Sequence, residues 1–331
     1  MIVSKSPYRI SLGGGGTDLE SYYSKHGGFI LSAAINKYMN ICLMENPLDK
    51  EIRVRYSKSE QVTSIDDLQH DLVKWSLRDF DLRNRGLEIT SIGEIPAGTG
   101  LGSSGTFLVS LVRAFAELQG YGSTKQHIAE RAYYIEKELA GHPVGKHDHY
   151  LAAFGGITCL EIDTSGEVVV SPLNMQPHII EAFRDHVALF YTGKTRNNGD
   201  DILREQDFKS KSDNSEMIQS LHEIKEIGYE IKTALTVGDL DKFGLLLDKH
   251  WQAKKRRSVD ISNNRIDEWY KIAKSNGALG GKIMGAGGGG FFMFYCPTMK
   301  VKHGIRDAFR NQPLVEMPFD FDFSGSQVFT V

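Results

Sequence analysis

Glycine is distributed unevenly along this 331-residue chain, and three clusters of it constrain the backbone more than any other feature. They lie at Gly13 to Gly16, at Gly98 to Gly102 in alternation, and at Gly285 to Gly290. The chain carries 34 glycines, above the usual share of about 7%, and their clustering without a period excludes a collagen-like repeat. Glycine admits positive φ and lets the backbone approach a ligand without Cβ interference, so clusters of it mark special backbone sites. The central cluster, Pro96-Ala97-Gly98-Thr99-Gly100-Leu101-Gly102-Ser103-Ser104, leads into apolar residues at helical spacing: Phe107, Leu111, Ala114, Phe115 and Leu118. Gly120 and Gly122 supply the stop. Backbone N–H groups that converge at such a helix start form an anion cradle, and the two serines add hydroxyls within reach of a phosphate or a hydrated Mg²⁺. No lysine precedes the final hydroxyl, so this is not a Walker loop, and neither the order nor the downstream acid of a dinucleotide fingerprint is present.

Around that loop the pattern alternates strand-like and helical stretches. Ile2 to about Val54 reads as strands joined by glycine turns, as do Phe154 to Val170 and Val187 to Tyr191. Ser123 followed by Gln126 resembles a capping box opening a helix with Ile128, Ala132, Ile135 and Leu139 on one face. From Asp200 to about Arg257 the chain is polar and helical, with an apolar stripe at Met217, Leu221, Ile224 and Ile231. Strands resume at Lys282 to Met284 and Phe291 to Tyr295. These patterns predict two domains, 1–191 and 192–331, with a linker near 192–200.

Charge and cysteine usage narrow the partners. Thirty-nine basic against 42 acidic residues leave a net charge of -3, so no global positive field draws the chain to nucleic acid or anionic lipid. No apolar window is long enough to span a bilayer, and Lys5 and Arg9 interrupt the apolar N-terminal stretch where a signal peptide would be continuous. Cys42, Cys159 and Cys296 are odd in number, far apart and without CxxC spacing, which fits buried thiols in a reducing cytoplasm. A small-molecule partner is expected; the sequence leaves monomer and homodimer both open.

Taken together, Pro7-Tyr8-Arg9-Ile10-Ser11-Leu12 with Gly13 to Asp18, then Pro96 to Ser104, then Lys282 to Phe292, resemble the three ordered motifs of the GHMP kinases. With Gly141-His142-Pro143-Val144-Gly145-Lys146-His147-Asp148 and Gly281 to Gly290, the resemblance narrows to the D-glycero-D-manno-heptose 7-phosphate kinases and runs nearly end to end. It implies an α+β, two-domain GHMP kinase fold. The N-terminal domain would be like domain 2 of ribosomal protein S5 and the C-terminal one ferredoxin-like, with the active site between them.

The same resemblance assigns roles. ATP would sit on Pro96, Gly98, Gly100, Leu101, Gly102, Ser103 and Ser104, and Ser104 with Glu136 would hold Mg²⁺. Asp148 is the expected catalytic carboxylate, with Arg9 as its cationic neighbour, and an ionised aspartate is what a proton acceptor requires. Asp18, with Gly15, Gly16, Thr17, Gly287 and Gly288, would contact the sugar. The Glu-His pair of galactokinases is replaced here by Gly15-Gly16, which argues against galactose. A phosphate elsewhere on the sugar would need cations, and Lys194, Arg196 or the run Lys254-Lys255-Arg256-Arg257 could supply them. Read without the resemblance, that run is a solvated helix face.

The expected activity is ATP-dependent phosphorylation of the anomeric hydroxyl of D-glycero-D-manno-heptose 7-phosphate, serving activated-heptose synthesis for a surface polysaccharide. Two alternatives share the fold: a fucokinase-like enzyme, from the Thr-Gly-x-x-Arg pattern at Thr192 to Arg196, and a sensor that binds without turnover. A metallohydrolase built on His142 and His147-Asp148-His149 lacks an evident further ligand cluster.

Overall fold

The computed structural model describes every residue except 84, 194, 196–198 and 213, with the backbone but not the side chains of 199 and 200. The β-branched and aromatic runs pair into two sheets. The first holds β1 (Ile2–Gly13), β2 (Gly28–Asn46), β3 (Ile52–Arg55), β4 (Ser59–Val62), β5 (Gly86–Gly93), β6 (Ile157–Ile162) and β7 (Val168–Pro172). The second holds β8 (Val187–Tyr191), β9 (Gly280–Ile283), β10 (Phe291–Tyr295) and β11 (Val315–Glu316), and β12 (Gln327–Thr330) returns to the first.

Strand β2 organises the first sheet because its length serves several partners. It pairs with β1, while its first half meets β6 and its second half meets β5. The main order is β12-β1-β2-β5-β3-β4, with β3 and β5 parallel. In the second sheet the order is β11-β8-β10-β9, antiparallel throughout. Helices connect β8 to β9 and β10 to β11, giving the split βαββαβ arrangement of a ferredoxin-like domain. The α+β, two-domain expectation therefore holds.

Sheet membership differs from the expected division at 191/192. Strand β8 hydrogen-bonds to β10 and β11, on the second sheet, and β12 crosses back to pair with β1. Strand composition alone cannot show which sheet a run joins, because the partner is set by residues far away in sequence.

Helix Ser103–Leu118 lies against β1 and β2 and buries Leu108, Leu111, Val112 and Phe115 completely. Full burial of each such side chain contributes about 1.5–3 kcal/mol. The next helix, Lys125–Tyr134, starts one residue later than its expected cap: Thr124 accepts from the His127 N–H, and Gln126 donates instead to the Tyr150 hydroxyl. It runs on into a π-helical turn, Ile135–Leu139. Met217, Leu221, Ile224 and Ile231 all face inward. A shared core made of Tyr8, Ile10 and Leu12 from β1, Leu189 from β8, Met293 from β10 and Phe243 joins the two sheets, so side chains from both are held in register across the cleft.

Candidate active site

The cleft between the sheets encloses a cavity of about 1160 Å³, walled by β1 and its glycine turn, the 97–104 loop, the start of helix His147–Phe154, and the turn after β9. Arg9 anchors one side. Its backbone N–H donates to the Leu101 carbonyl at 3.1 Å, its Nη1 to the Gly100 carbonyl at 2.6 Å, and its Nε and Nη2 each reach Asp148 Oδ1 at 2.6 Å. One buried guanidinium thus fixes the glycine loop and the carboxylate relative to each other. Gly102 makes the approach possible: it sits at φ +82, and a Cβ there would lie 3.2 Å from Asp148 Cγ. Asp148 keeps 24% of its side chain exposed, enough to meet a substrate in the cavity.

His147 is the residue the sequence reading left out of the mechanism. Its Nδ1 is 2.6 Å from Asp18 Oδ2, which also accepts the His147 backbone N–H at 3.1 Å. Its Nε2 is 2.8 Å from Asp148 Oδ1. Burial works against the imidazolium, but the carboxylates of Asp148 and Asp18 outweigh it and raise His147 to about 9. Burial would push Asp148 up; Arg9 and His147 reverse this and hold it well below the usual carboxylate range. The same contest, with His147 as counter-charge, lowers Asp18. Near neutral pH the unit is therefore two carboxylates bridged by one imidazolium.

A second acid stands at the helix start. Glu136, on the π-helical turn, is buried, with Oε2 2.7 Å from His149 Nε2 and Oε1 3.7 Å from His142 Nδ1. Burial raises its carboxyl, yet His142 and His149 prevail, with the Ser104 hydroxyl adding to the effect, and bring it to about 2. Among the described residues, Glu136 Oε1 and Ser103 Oγ are buried without a hydrogen-bond partner. An orphaned carboxylate oxygen on a residue that the Ser104 hydroxyl reaches, in a cavity that Ser103 and the 97–104 loop also line, suits a hard cation that takes its remaining ligands from phosphate and water. The unsatisfied hydroxyl is that of Ser103, the neighbour of the expected Ser104, which also lines the cavity. No three-ligand cluster of His, Cys, Asp or Glu occurs among the described residues. His149 is turned to Glu136 and His147 to Asp18, so they do not converge on a metal as a hydrolase would need.

The other expected residues are spread over this frame. Gly98, Gly100, Gly102, Ser103 and Ser104 line the cavity, as do Gly15, Gly16 and Asp18. Pro96 supplies a carbonyl to the Thr99 hydroxyl and Leu101 is core. Thr17 is buried in its own turn, its hydroxyl accepting from the Phe29 N–H at 3.0 Å. Gly287 packs against Ile261, and the Gly288 N–H donates to the Ile261 carbonyl, so their backbone closes the wall behind the turn. Lys194 and Arg196 lie outside the described residues. Two walls were missed: an aromatic group of Tyr56, His70 and Phe107, with His70 and Phe107 stacked at 5.0 Å, and a cationic group containing His250 and Lys282.

The family's N-terminal domain pattern, GHMP kinases N terminal domain, matches residues 71–156, and GHMP kinases C terminal matches residues 231–312. The chain is 31% identical to D-glycero-alpha-D-manno-heptose 7-phosphate kinase of Campylobacter jejuni over 98% of this chain and 97% of that one. The chain belongs to the GHMP kinases. This kinase also resembles the L-fucokinase/L-fucose-1-P guanylyltransferase of Bacteroides fragilis, at 25% identity over 88% of this chain but 34% of that protein. The crystal structure of a D-glycero-D-manno-heptose 1-phosphate kinase from Bacteroides thetaiotaomicron superposes with a TM-score of 0.82 and 29% identity, covering 100% of this chain and 99% of the other. With these relatives, this GHMP kinase is an ATP-dependent sugar kinase. No helix among its described residues is long and apolar enough to cross a membrane.

Proposed function

We propose that this kinase transfers the γ-phosphoryl group of ATP to the anomeric hydroxyl of D-glycero-D-manno-heptose 7-phosphate, giving the 1,7-bisphosphate and ADP. The reading rests on one arrangement: the Arg9-clamped Asp148 faces the cavity directly beside the glycine loop. The end-to-end similarity to a heptose 7-phosphate kinase supports the choice of sugar. Two named relatives act on a heptose already bearing one phosphate, though at different positions, and the shared chemistry is a phosphorylated acceptor. The product would enter activated-heptose synthesis for a surface polysaccharide in the cytoplasm.

In this reading the triphosphate lies on the N–H groups of the 98–104 loop at the start of the helix, with the base against Tyr56, His70 and Phe107. Ser104, with the unsatisfied Ser103 hydroxyl and Glu136, would hold Mg²⁺, which when bound neutralises charge on the phosphates. Asp148 accepts a hydrogen bond from the sugar hydroxyl and aims its lone pair at the γ-phosphorus. As the new O–P bond forms and the bond to the β-phosphate bridging oxygen breaks, the hydroxyl proton passes to Asp148. A carboxylate held so far down by Arg9 and His147 is a weak base, so its larger contribution is orientation. Proton loss follows once the oxygen has become acidic in a loose transition state. Asp18 accepts hydrogen bonds from neighbouring hydroxyls with its orientation fixed by His147.

Assaying the 7-phosphate, the free heptose and fucose with ATP, with the products read by mass spectrometry and ³¹P NMR, tests the proposal. A gain of one phosphoryl group at the anomeric carbon of the 7-phosphate is expected. Faster turnover of fucose would replace this reading with the fucokinase one.

A further inference from the structure

Four cationic or cationisable side chains meet in the cavity wall beside β9 and the turn that follows it. His250 and Lys254 come from helix Leu240–Lys255, Arg257 from just past its end, and Lys282 from β9. All four are buried. The run 254–257 is split by helical geometry. Lys255 and Arg256 point outward to Asp267 and Glu223, while Lys254 and Arg257 point in.

Two members of the inward group, His250 and Arg257, keep open polar atoms among the described residues. Lys254 donates to the carbonyls of Ile283 and Gly285 at 2.9 and 2.5 Å, and Lys282 to the Leu12 carbonyl at 3.3 Å. Arg257 Nη1 reaches the Gly15 carbonyl at 3.1 Å and Gln206 Oε1 at 3.3 Å, but among the described residues its Nε has no hydrogen-bond partner, and neither ring nitrogen of His250 has one. Among the described residues the opposite charge that acts on Arg257 is Asp18, already engaged by His147. Burial, reinforced by mutual repulsion with Arg257 and Arg9, pushes Lys282 well below its ordinary range, and burial lowers Arg257 to about 10 despite Asp18. Gathering like charge in a low-dielectric wall is costly unless an anion completes it.

We infer that His250, Lys254, Arg257 and Lys282 form the subsite for the phosphate that the acceptor sugar already carries, the anion taking the open donors of His250 and Arg257. This rests on the sugar-phosphate reading above and says where that phosphate binds. Position along β1 separates this subsite from the nucleotide. Arg9 marks the reacting end, whereas Lys282 meets β1 at Leu12 and Arg257 meets the glycine turn after it at Gly15. Three residues of extended strand span roughly 10 Å. That displacement matches a phosphate at the end of the sugar remote from the reacting hydroxyl.

The test compares kcat/KM for heptose 7-phosphate with that for the unphosphorylated heptose, in wild type, Arg257→Gln and His250→Leu, with the KM for ATP measured in parallel. Losing one buried charged donor should cut the phosphorylated-to-free preference about thirtyfold or more in Arg257→Gln, and His250→Leu should cut it by a smaller factor. Folding damage lowers both sugars together and leaves the ratio intact, so a preserved ratio overturns the subsite. A KM for ATP that rises while the ratio holds assigns the cluster to the nucleotide and overturns it equally. Should wild type itself prefer the free sugar, the sugar-phosphate reading fails, a result distinct from a wild-type preference that survives both substitutions.

Discussion

Asp148 is a strongly stabilised anion on the cavity wall, and its two cationic neighbours, Arg9 and His147, come from different elements. Replacing it with Asn keeps the shape and removes the acceptor charge. We expect kcat to fall by about 10² to 10⁴ with the KM for ATP little changed, and steady-state kinetics showing an unimpaired variant would remove Asp148 from the mechanism. His147 gives a pH signature. Its folded-state value is raised from 6.5 to about 9, so its contribution to stability is complete below 6.5 and disappears as pH rises through about 9. Asp148 and Asp18 are depressed and act with the opposite sign, contributing above the ordinary carboxylate range and failing in acid. Across the alkaline window the unfolding midpoint of wild type should drop more steeply than that of His147→Gln. Parallel curves would mean that the imidazolium is not the bridge.

At the scale of elements, the glycine loop separates two costs that are usually confounded. Gly102 and Gly120 both have positive φ, +82 and +70, but a Cβ at Gly102 meets Asp148 and Arg9 whereas one at Gly120 meets nothing within 4 Å. A left-handed non-glycine residue costs about 1–2 kcal/mol, so Gly102→Ala and Gly120→Ala should both lower the melting temperature. Only Gly102→Ala should also lower kcat, and equal kcat values would show that the loop does not set the carboxylate. Such local rules are why the loop and its helix were legible in the sequence. The Asp18–His147 bridge was not, because it joins residues 129 apart, and no local period reports that. The cation wall was legible in principle. Phe243, Leu247, His250, Lys254 and Arg257 recur at spacings of four and three and are all buried. The charges therefore continue the apolar stripe, a pattern hidden when 254–257 is read as one basic run.

For the whole molecule, β1 ties the sheet, the loop and the cation wall together. It pairs with β2 on one side and with β12 on the other, with Ser4 opposite Val328. Phe329→Pro, opposite Val3, removes a backbone donor from this ladder. A loss near 1 kcal/mol should lower the melting temperature by roughly 2–4 °C. An unchanged melting temperature would show β12 to be a passive appendage. Fold class was legible through the resemblance carried by the three ordered motifs, whereas the strand and helix periods, being local, located only the elements. The sheet joined by β8 was not, because its partners β10 and β11 begin about a hundred residues later.

Strand β1 is translated before the parts that complete it: Asp148, Lys282 and finally β12 reach it, and Arg257 the turn that follows it, from progressively later stretches of chain. On the ribosome a nascent polypeptide would therefore carry this strand with an open edge and an unassembled pocket until those later stretches emerge. Closing contacts so distant is slow, and an exposed edge invites pairing with the wrong chain. Chaperone demand during expression should accordingly fall on the early-made strand.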